Sequence, residues 1–324
     1  CNIQDASMVD LSVEICGIKF NSPVAIASGN AGYGIEYQSV NGFCNKDVGA
    51  LFLKGTTLEP KLGNKADRVM ESPSGLLNSI GLQNPGAHAI IKDYLPQLDL
   101  SETRFIINVS GSSIEEYAEV VRLFNDTDLP AIEVNISCPN VKKGGAAFGN
   151  DPDMAARVVE ACRANTTKPL IVKLSPNQTD IAEGARRVIE AGADALSAIN
   201  TLMGMQIDAR TRKPTLGNNQ GGLSGPAIKP VALLKVHQVY QVAKLHNVPI
   251  IGLGGIATAE DAIEFFLAGA SMVAVGTGVA KDPLIVKKIN KGIAKYLHVH
   301  GFKSVSALTG ALELNTDTVL CGAV

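Results

Sequence analysis

The run Asn135-Ile136-Ser137-Cys138-Pro139-Asn140, followed by Lys142-Lys143-Gly144-Gly145, carries an apolar stretch straight into a polar, glycine-rich segment. A cysteine in that position sits at the tip of a strand, where a thiol can serve as a base if its surroundings favour the thiolate. A free cysteine is otherwise a small buried hydrophobe. Residue type and flanking asparagines alone leave both readings open for Cys138. The other cysteines, at positions 1, 16, 44, 162 and 321, lack this context and read as structural.

Two more apolar runs end in a lysine: Lys54 after Ala50-Leu51-Phe52-Leu53, and Lys173 after Leu170-Ile171-Val172. An ammonium in such a place is desolvated unless an anion meets it. Two of them pointing into one pocket imply a negatively charged ligand, and a reduced flavin, anionic at its N1–C2=O edge, is one. The alternative is that each lysine snorkels to solvent. Late in the chain, Gly252-Leu253-Gly254-Gly255 and Gly276-Thr277-Gly278 each follow an apolar run and lead towards a helix. Backbone N–H groups there, helped by a helix N-terminus, can hold a phosphate, although glycine clusters also serve ordinary turns. Amides and small hydroxyls gather at the ends of other runs: Ser28 beside Gly29, the segment Asn78-Ser79-Ile80-Gly81-Leu82, Asn108, Asn135, Asn140, and Asn200 beside Thr201. Such groups donate and accept hydrogen bonds without adding charge. They suit a planar heterocycle rich in C=O and N–H, a pyrimidine or an isoalloxazine.

These residues need a scaffold that delivers them to one face. Short apolar runs at 23–28, 49–54, 105–109, 131–136, 170–175, 194–199, 249–253 and 272–276 read as strands. Between them lie helical patterns at 85–98, 113–124, 152–165, 179–191, 226–246 and 258–268, with another at 283–298 and a less clear one at 33–45. Ser113 ahead of Glu115 and Glu116, and Thr258 ahead of Glu260, are helix-starting chemistry. Eight strands, each followed by a helix, predict an α/β fold in which parallel strands close into a (β/α)8 TIM barrel, one domain over 1–324. No Gly-x-Gly-x-x-Gly follows the first strand, so an open dinucleotide-binding sheet loses its main support. Residues 11–21 read as a small β-hairpin able to plug the barrel floor. Two connections, 55–84 and 200–225, are too long for simple turns and leave strand C-terminal ends, where barrel enzymes keep their active sites.

Bulk properties narrow the partner. Lys+Arg number 29 against 31 Asp+Glu in 324 residues, a formal net charge of -2, which offers no electrostatic footprint for nucleic acid or an anionic membrane. The most apolar stretch, 249–280, is broken by Glu260, Asp261 and Glu264, too soon for a membrane span. The six cysteines include no Cys-x-x-Cys pair, so neither zinc nor an iron–sulfur cluster finds its spacing, and no metal site is expected in this chain. Low cysteine content with no basic, apolar leader points to the cytoplasm, while removal of a leader before Cys1 stays open.

With these residues in view, the sequence resembles the class 1 dihydroorotate dehydrogenases, and within them the B subclass, whose catalytic subunit pairs with an electron-transfer subunit. The resemblance runs from about Leu11 to about Leu314. It is carried by Lys54-Gly55-Thr56-Thr57, Asn78-Ser79-Ile80-Gly81-Leu82-Gln83-Asn84-Pro85-Gly86, Asn135-Ile136-Ser137-Cys138-Pro139-Asn140 and Gly254-Gly255. It implies oxidation of dihydroorotate to orotate in pyrimidine biosynthesis, with Cys138 taking a proton from C5 while hydride passes from C6 to N5 of FMN. It implies FMN binding by Ser28, Lys54, Gly55, Asn108, Asn135, Lys173, Ile199, Gly225, Gly254, Gly255, Gly276 and Thr277. It implies orotate binding by Lys54, Asn78, Ser79, Ile80, Gly81, Leu82, Asn135, Asn200 and Thr201.

Cysteine rather than serine at the base position resembles class 1; the membrane-bound class 2 enzymes use serine and carry an N-terminal membrane-associating extension. The stretch from Val141-Lys142-Lys143 to Phe148-Gly149 resembles the B subclass more than the fumarate-using A subclass. That subclass implies NAD as the final acceptor, a partner subunit carrying FAD and a 2Fe–2S cluster, and a homodimer of this chain within a heterotetramer. Residues 315–324 match nothing in the family pattern.

Three other readings stay open on sequence: the fumarate-linked A subclass, a dihydropyrimidine dehydrogenase-like FMN barrel, and a flavin-free barrel that binds phosphate through its late glycine loops. Lys54 separates the second from dihydroorotate oxidation, because a carboxylated substrate benefits from a cation. Flavin absorption separates the third.

Overall fold

The computed structural model describes residues 9–137 and 148–315. Cys138 and Asn140, like residues 1–8, 138–147 and 316–324, lie outside them. The described chain opens with an antiparallel hairpin, β1 (Val13–Ile15) and β2 (Ile18–Phe20), with Val13 opposite Phe20. It continues through β3 (Val24–Ile26), β4 (Ala50–Phe52), a pair β5 (Val69–Ser72) and β6 (Gly75–Asn78), then β7 (Arg104–Val109), β8 (Ile132–Asn135), β9 (Leu170–Leu174) and β10 (Ala195–Ala198). Four short strands follow, β11 (Leu202–Gly204), β12 (Ile207–Asp208), β13 (Lys213–Pro214) and β14 (Gly221–Ser224), before β15 (Ile250–Leu253) and β16 (Met272–Val275). Eight of these, ordered β10-β15-β16-β3-β4-β7-β8-β9, form a closed barrel, and every barrel pairing is parallel. This is the (β/α)8 barrel expected from the sequence, and each barrel strand falls where an apolar run was read.

The runs are continuously apolar because parallel barrel strands are covered on both faces; β9 is buried at all five residues. Successive residues nonetheless face opposite sides. Val24, Ile26, Leu51, Ile107, Val134 and Val172 pack outward with the helices. Ala25, Ala50, Phe52, Ile106, Ala131, Ile171 and Ala195 face inward, joined by Ile15 and Phe20 of the hairpin, which therefore closes the barrel floor. Burying a side chain such as Phe20 contributes about 2–3 kcal/mol, which ties the hairpin down. Continuing the inward alternation towards the strand ends gives Asn108, Glu133, Lys173 and Ser197, all no more than 6% exposed. The barrel thus passes from an apolar floor to a polar layer before it reaches its mouth.

The helices are α1 (Ala87–Ala89), α2 (Ile114–Asn125), α3 (Pro152–Arg163), α4 (Ile181–Glu190), α5 (Lys229–Ala243), α6 (Ala259–Ala268), α7 (Thr277–Lys281) and α8 (Ile285–His300). Four of these starts carry side-chain caps, including the Ser113 and Thr258 that the sequence suggests. Ser113 accepts from Glu116 N, Asp151 and Asp180 accept at α3 and α4, and Thr258 with Asp261 forms a capping box. The pattern at 85–98 becomes a short α1, a π-helical stretch Ile90–Tyr94 and a 3-10 turn Leu95–Gln97. Pro96 explains this: it has no N–H, and its ring crowds the carbonyl four residues back. Residues 33–45 form turns instead of a helix, because the Glu36 carboxylate draws in the amides of Tyr33 and Ile35, and Gly34 takes a φ of 89°. Among the described residues, no helix is long and apolar enough to cross a membrane.

The two long connections hold structure that composition did not disclose. Strands β11, β14, β6 and β5 form one antiparallel sheet in that order, and β12 pairs with β13. Met203, Gly222, Asn78 and Val69 lie in a single row across it. Segments about 145 residues apart therefore share one roof over the barrel mouth.

Candidate active site

The C-terminal ends of the barrel strands bring most of the expected residues into a ring. At β3 and β4, Ser28 Oγ donates to Leu53 O at 2.7 Å, and Lys54 N donates to Gly32 O at 2.8 Å. The Lys54 ammonium has no ion-pair partner among the described residues, and burial together with Arg68 lowers its pKa, against the opposing pull of Glu36. A Cβ on Gly55 would lie 3.1 Å from Asn108 Oδ1, 3.4 Å from Leu82 Cδ2 and 3.7 Å from Ser110 Oγ. Gly55 thus lets the backbone lie close against these groups, and a side chain there would crowd them. Asn108 Oδ1 and Ser110 Oγ beside it are buried and have no hydrogen-bond partner among the described residues.

Further round the mouth, Asn135 Oδ1 accepts from Asn200 Nδ2 and from Ser137 N, both at 3.1 Å. The acceptor side of the Asn135 amide is therefore spent, and its remaining capacity is as a donor. Tyr117 OH donates to Asn135 O at 2.7 Å and fixes the strand end. Thr201 sits against Gly222, where a Cβ would lie 2.0 Å from its Oγ1, and Asn78 Nδ2 donates to Gly222 O at 3.4 Å. The roof sheet so places Asn78 and Thr201 side by side. Asn84 holds the segment 78–86 over β4 by donating to Thr57 Oγ1 and Leu82 O while accepting from Thr57 N and Gly86 N. Ser79, Ile80 and Gly81 pack along Asn64: its Nδ2 donates to Ser79 O and Oγ, its N to Ile80 O, and Gly81 lies against it.

Ile199 meets Gly254, at 3.4 Å from a Cβ built there. Gly254 and Gly255 have φ values of 135° and 84°, which only glycine adopts easily. A Cβ on Gly255 would lie 2.9 Å from Gly225 O and from Lys229 N, so the β15 turn lies directly on the start of α5. The Lys229 ammonium is committed to Asp261 and Glu264, which leaves backbone groups to face whatever binds there. Thr277 Oγ1 donates to Ser224 Oγ at 2.8 Å, and Gly276 lies near Asn30, whose Nδ2 donates back to Ser28 O at 3.3 Å. The ring closes there. Lys173 points inward and is 6% exposed, with no ion-pair partner among the described residues.

Residues 10–297 match the dihydroorotate dehydrogenase family model. The chain belongs to that family. A relative from Desulforamulus reducens is 51% identical over 307 residues, spanning 94% of this chain and 99% of its own. One from Citrifermentans bemidjiense is 51% identical over 306 residues, spanning 94% and 99%. One from Bacteroides thetaiotaomicron is 49% identical over 308 residues, spanning 95% and 100%. All three carry the name dihydroorotate dehydrogenase B (NAD(+)), catalytic subunit.

Sequence reading missed Ser110, Glu133, Ser197 and Ser224. The first was legible in principle, two residues beyond Asn108 on the inward face; Glu133 was legible as the one charge inside the apolar run 131–134. At the opposite end of the barrel lies a pocket of about 390 Å³ lined by Cys16, Arg163, Thr167, Pro169, Asp194, Asn247 and Pro249. It offers no comparable chemistry. The Arg163 guanidinium is taken up by Asp194 and the carbonyls of Thr166 and Lys168, and burial pushes the Cys16 thiol up to about 11.

Proposed function

We propose that this chain oxidises dihydroorotate to orotate in pyrimidine biosynthesis, with FMN at the barrel mouth and electrons leaving through a partner subunit to NAD. The observation that carries the reading is Lys54, a half-buried ammonium without an ion-pair partner among the described residues, next to Gly55 and two buried polar atoms that lack a donor or acceptor. A carboxylated heterocycle answers the first, and the ring edge of a flavin answers the second.

FMN fits these residues: beside Gly55 the buried Asn108 Oδ1 and Ser110 Oγ lack partners that a flavin ring edge can supply, and the Gly254-Gly255 turn on the start of α5 suits a phosphate. Ser28, Lys54, Gly55, Asn108, Asn135, Lys173, Ile199, Gly225, Gly254, Gly255, Gly276 and Thr277 would hold it. When bound, FMN supplies the hydride acceptor. Lys54, Asn78, Ser79, Ile80, Gly81, Leu82, Asn135, Asn200 and Thr201 would orient the substrate, the Asn135 amide donating to a substrate oxygen. Cys138, outside the described residues, would take the proton from C5. The partner subunit would carry FAD and a 2Fe–2S cluster and dock on a homodimer of this chain in the cytoplasm. Support for a separate acceptor subunit comes from the sequence, which has neither a dinucleotide fingerprint nor cluster-spaced cysteines.

The test is the chain's own spectrum. Purified from its host, it should be yellow, release FMN on denaturation, and bleach anaerobically on addition of dihydroorotate. A colourless chain that takes up no FMN would end the reading. Lys54→Ala should weaken orotate binding roughly ten- to a hundredfold, the size of a lost hydrogen bond to a charged group. Because the Lys54 pKa is lowered, its charge disappears as pH rises through that lowered value. The wild-type orotate affinity should therefore fall as pH rises through that value, while the alanine variant stays flat. Equal titrations for both proteins would place Lys54 at the solvated rim.

A further inference from the structure

Beneath the mouth, Glu133 on β8 is 2% exposed, among the most buried charged side chains of the barrel. Its Oε2 accepts from Asn108 Nδ2 at 2.5 Å, and its Oε1 accepts from Ser197 Oγ at 2.6 Å. Asn108 and Ser197 are themselves 0% and 1% exposed. The three groups stand on β7, β8 and β10, linking strands across the barrel interior. Glu133 lies beneath the residues proposed above to touch FMN or substrate. Retaining a buried carboxylate only for packing is poor design, since an apolar residue of the same volume is commonly as stabilising.

The consequence of this arrangement lies in the direction of one amide. Carboxylate oxygens accept and do not donate, so only the NH2 side of Asn108 can face Glu133. The opposite side, Oδ1, then faces Gly55, where it is buried and lacks a donor. Either side of a primary amide fills nearly the same space, so shape alone would not choose between a donor and an acceptor at that spot. Glu133 chooses.

We infer that Glu133 is a positioning residue: through its hydrogen bond to Asn108 it presents Oδ1 of that amide as a fixed acceptor for an N–H on the ring edge of FMN. The inference rests on the FMN reading above. Ser197 holds the second carboxylate oxygen and keeps the group from rotating.

The experiment is an FMN titration of the stripped full-length chain, followed by quenching of flavin fluorescence. Glu133→Leu keeps the volume and removes the acceptor, and it should weaken FMN binding roughly tenfold or more, the effect of losing one buried hydrogen bond. Glu133→Gln can still accept from Asn108 through its carbonyl while the Ser197 hydroxyl reverses, so it should stay within about threefold of wild type. In an Asn108→Ala background, Glu133→Leu should have little further effect, because the residue acts through that amide. A role in packing alone predicts otherwise: leucine and glutamine would behave alike, and the two substitutions would multiply. Either result, or wild-type FMN affinity in Glu133→Leu, would overturn the inference alone. Failure of the stripped wild-type chain to bind FMN would overturn the FMN reading and the inference with it.

Discussion

Replacing Cys138 with alanine is expected to slow reduction of the bound flavin by dihydroorotate roughly a hundredfold or more, the usual contribution of a general base, while FMN remains bound. The expectation comes from position in the chain. β8 ends at Asn135, whose side chain is fixed by Asn200 and Ser137, and Cys138 follows three residues later. Asn135 thus anchors the strand end that precedes Cys138 in the sequence. Anaerobic stopped-flow reduction measures the step directly and separates it from reoxidation. An undiminished rate in the alanine variant would remove Cys138 from the chemistry and direct attention to another proton acceptor.

The second large effect concerns electron acceptance. Supplied with dihydroorotate and NAD, the isolated chain is expected to turn over negligibly, and addition of the partner subunit is expected to restore rapid NAD reduction. The reason is chemical: a flavin reduced at the barrel mouth needs an acceptor of its own, and this chain has no sequence fingerprint for a dinucleotide beside it. Fast NAD reduction by the chain alone would dismiss the two-subunit arrangement. Efficient fumarate turnover would assign the fumarate-linked chemistry in its place.

The barrel was legible in the sequence because its strands are short apolar runs covered on both faces, and because several helix starts carry a capping side chain. Residues such as Ser113 and Thr258 mark boundaries that tertiary packing did not override. Much of the mouth was legible for a related reason. A polar residue that ends an apolar strand, as Lys54 or Asn135 does, has nowhere to face except the cavity or the rim. Two things were hidden. The roof strands are three or four residues long and pair across great separations, so no local periodicity announces them. The role of the polar layer inside the barrel was hidden: Glu133 is visible as a lone charge within a run that reads as core, but only its partners on β7 and β10 give it a function. Pro96 shows the reverse error, in which a helical pattern was sound but one residue unable to donate reshaped the element.

The roof also bears on how such a protein can be altered. Its four strands come from two insertions, and β6 from the first is hydrogen-bonded to β14 from the second. Neither insertion is a self-contained module. A chimera that takes one of them from a relative and keeps the other asks two strand edges of different ancestry to match register, side-chain volume and twist. A mismatch would expose unpaired backbone directly above the barrel mouth. The pair is therefore best regarded as one heritable unit, to be exchanged together by anyone regrafting substrate preference onto this barrel.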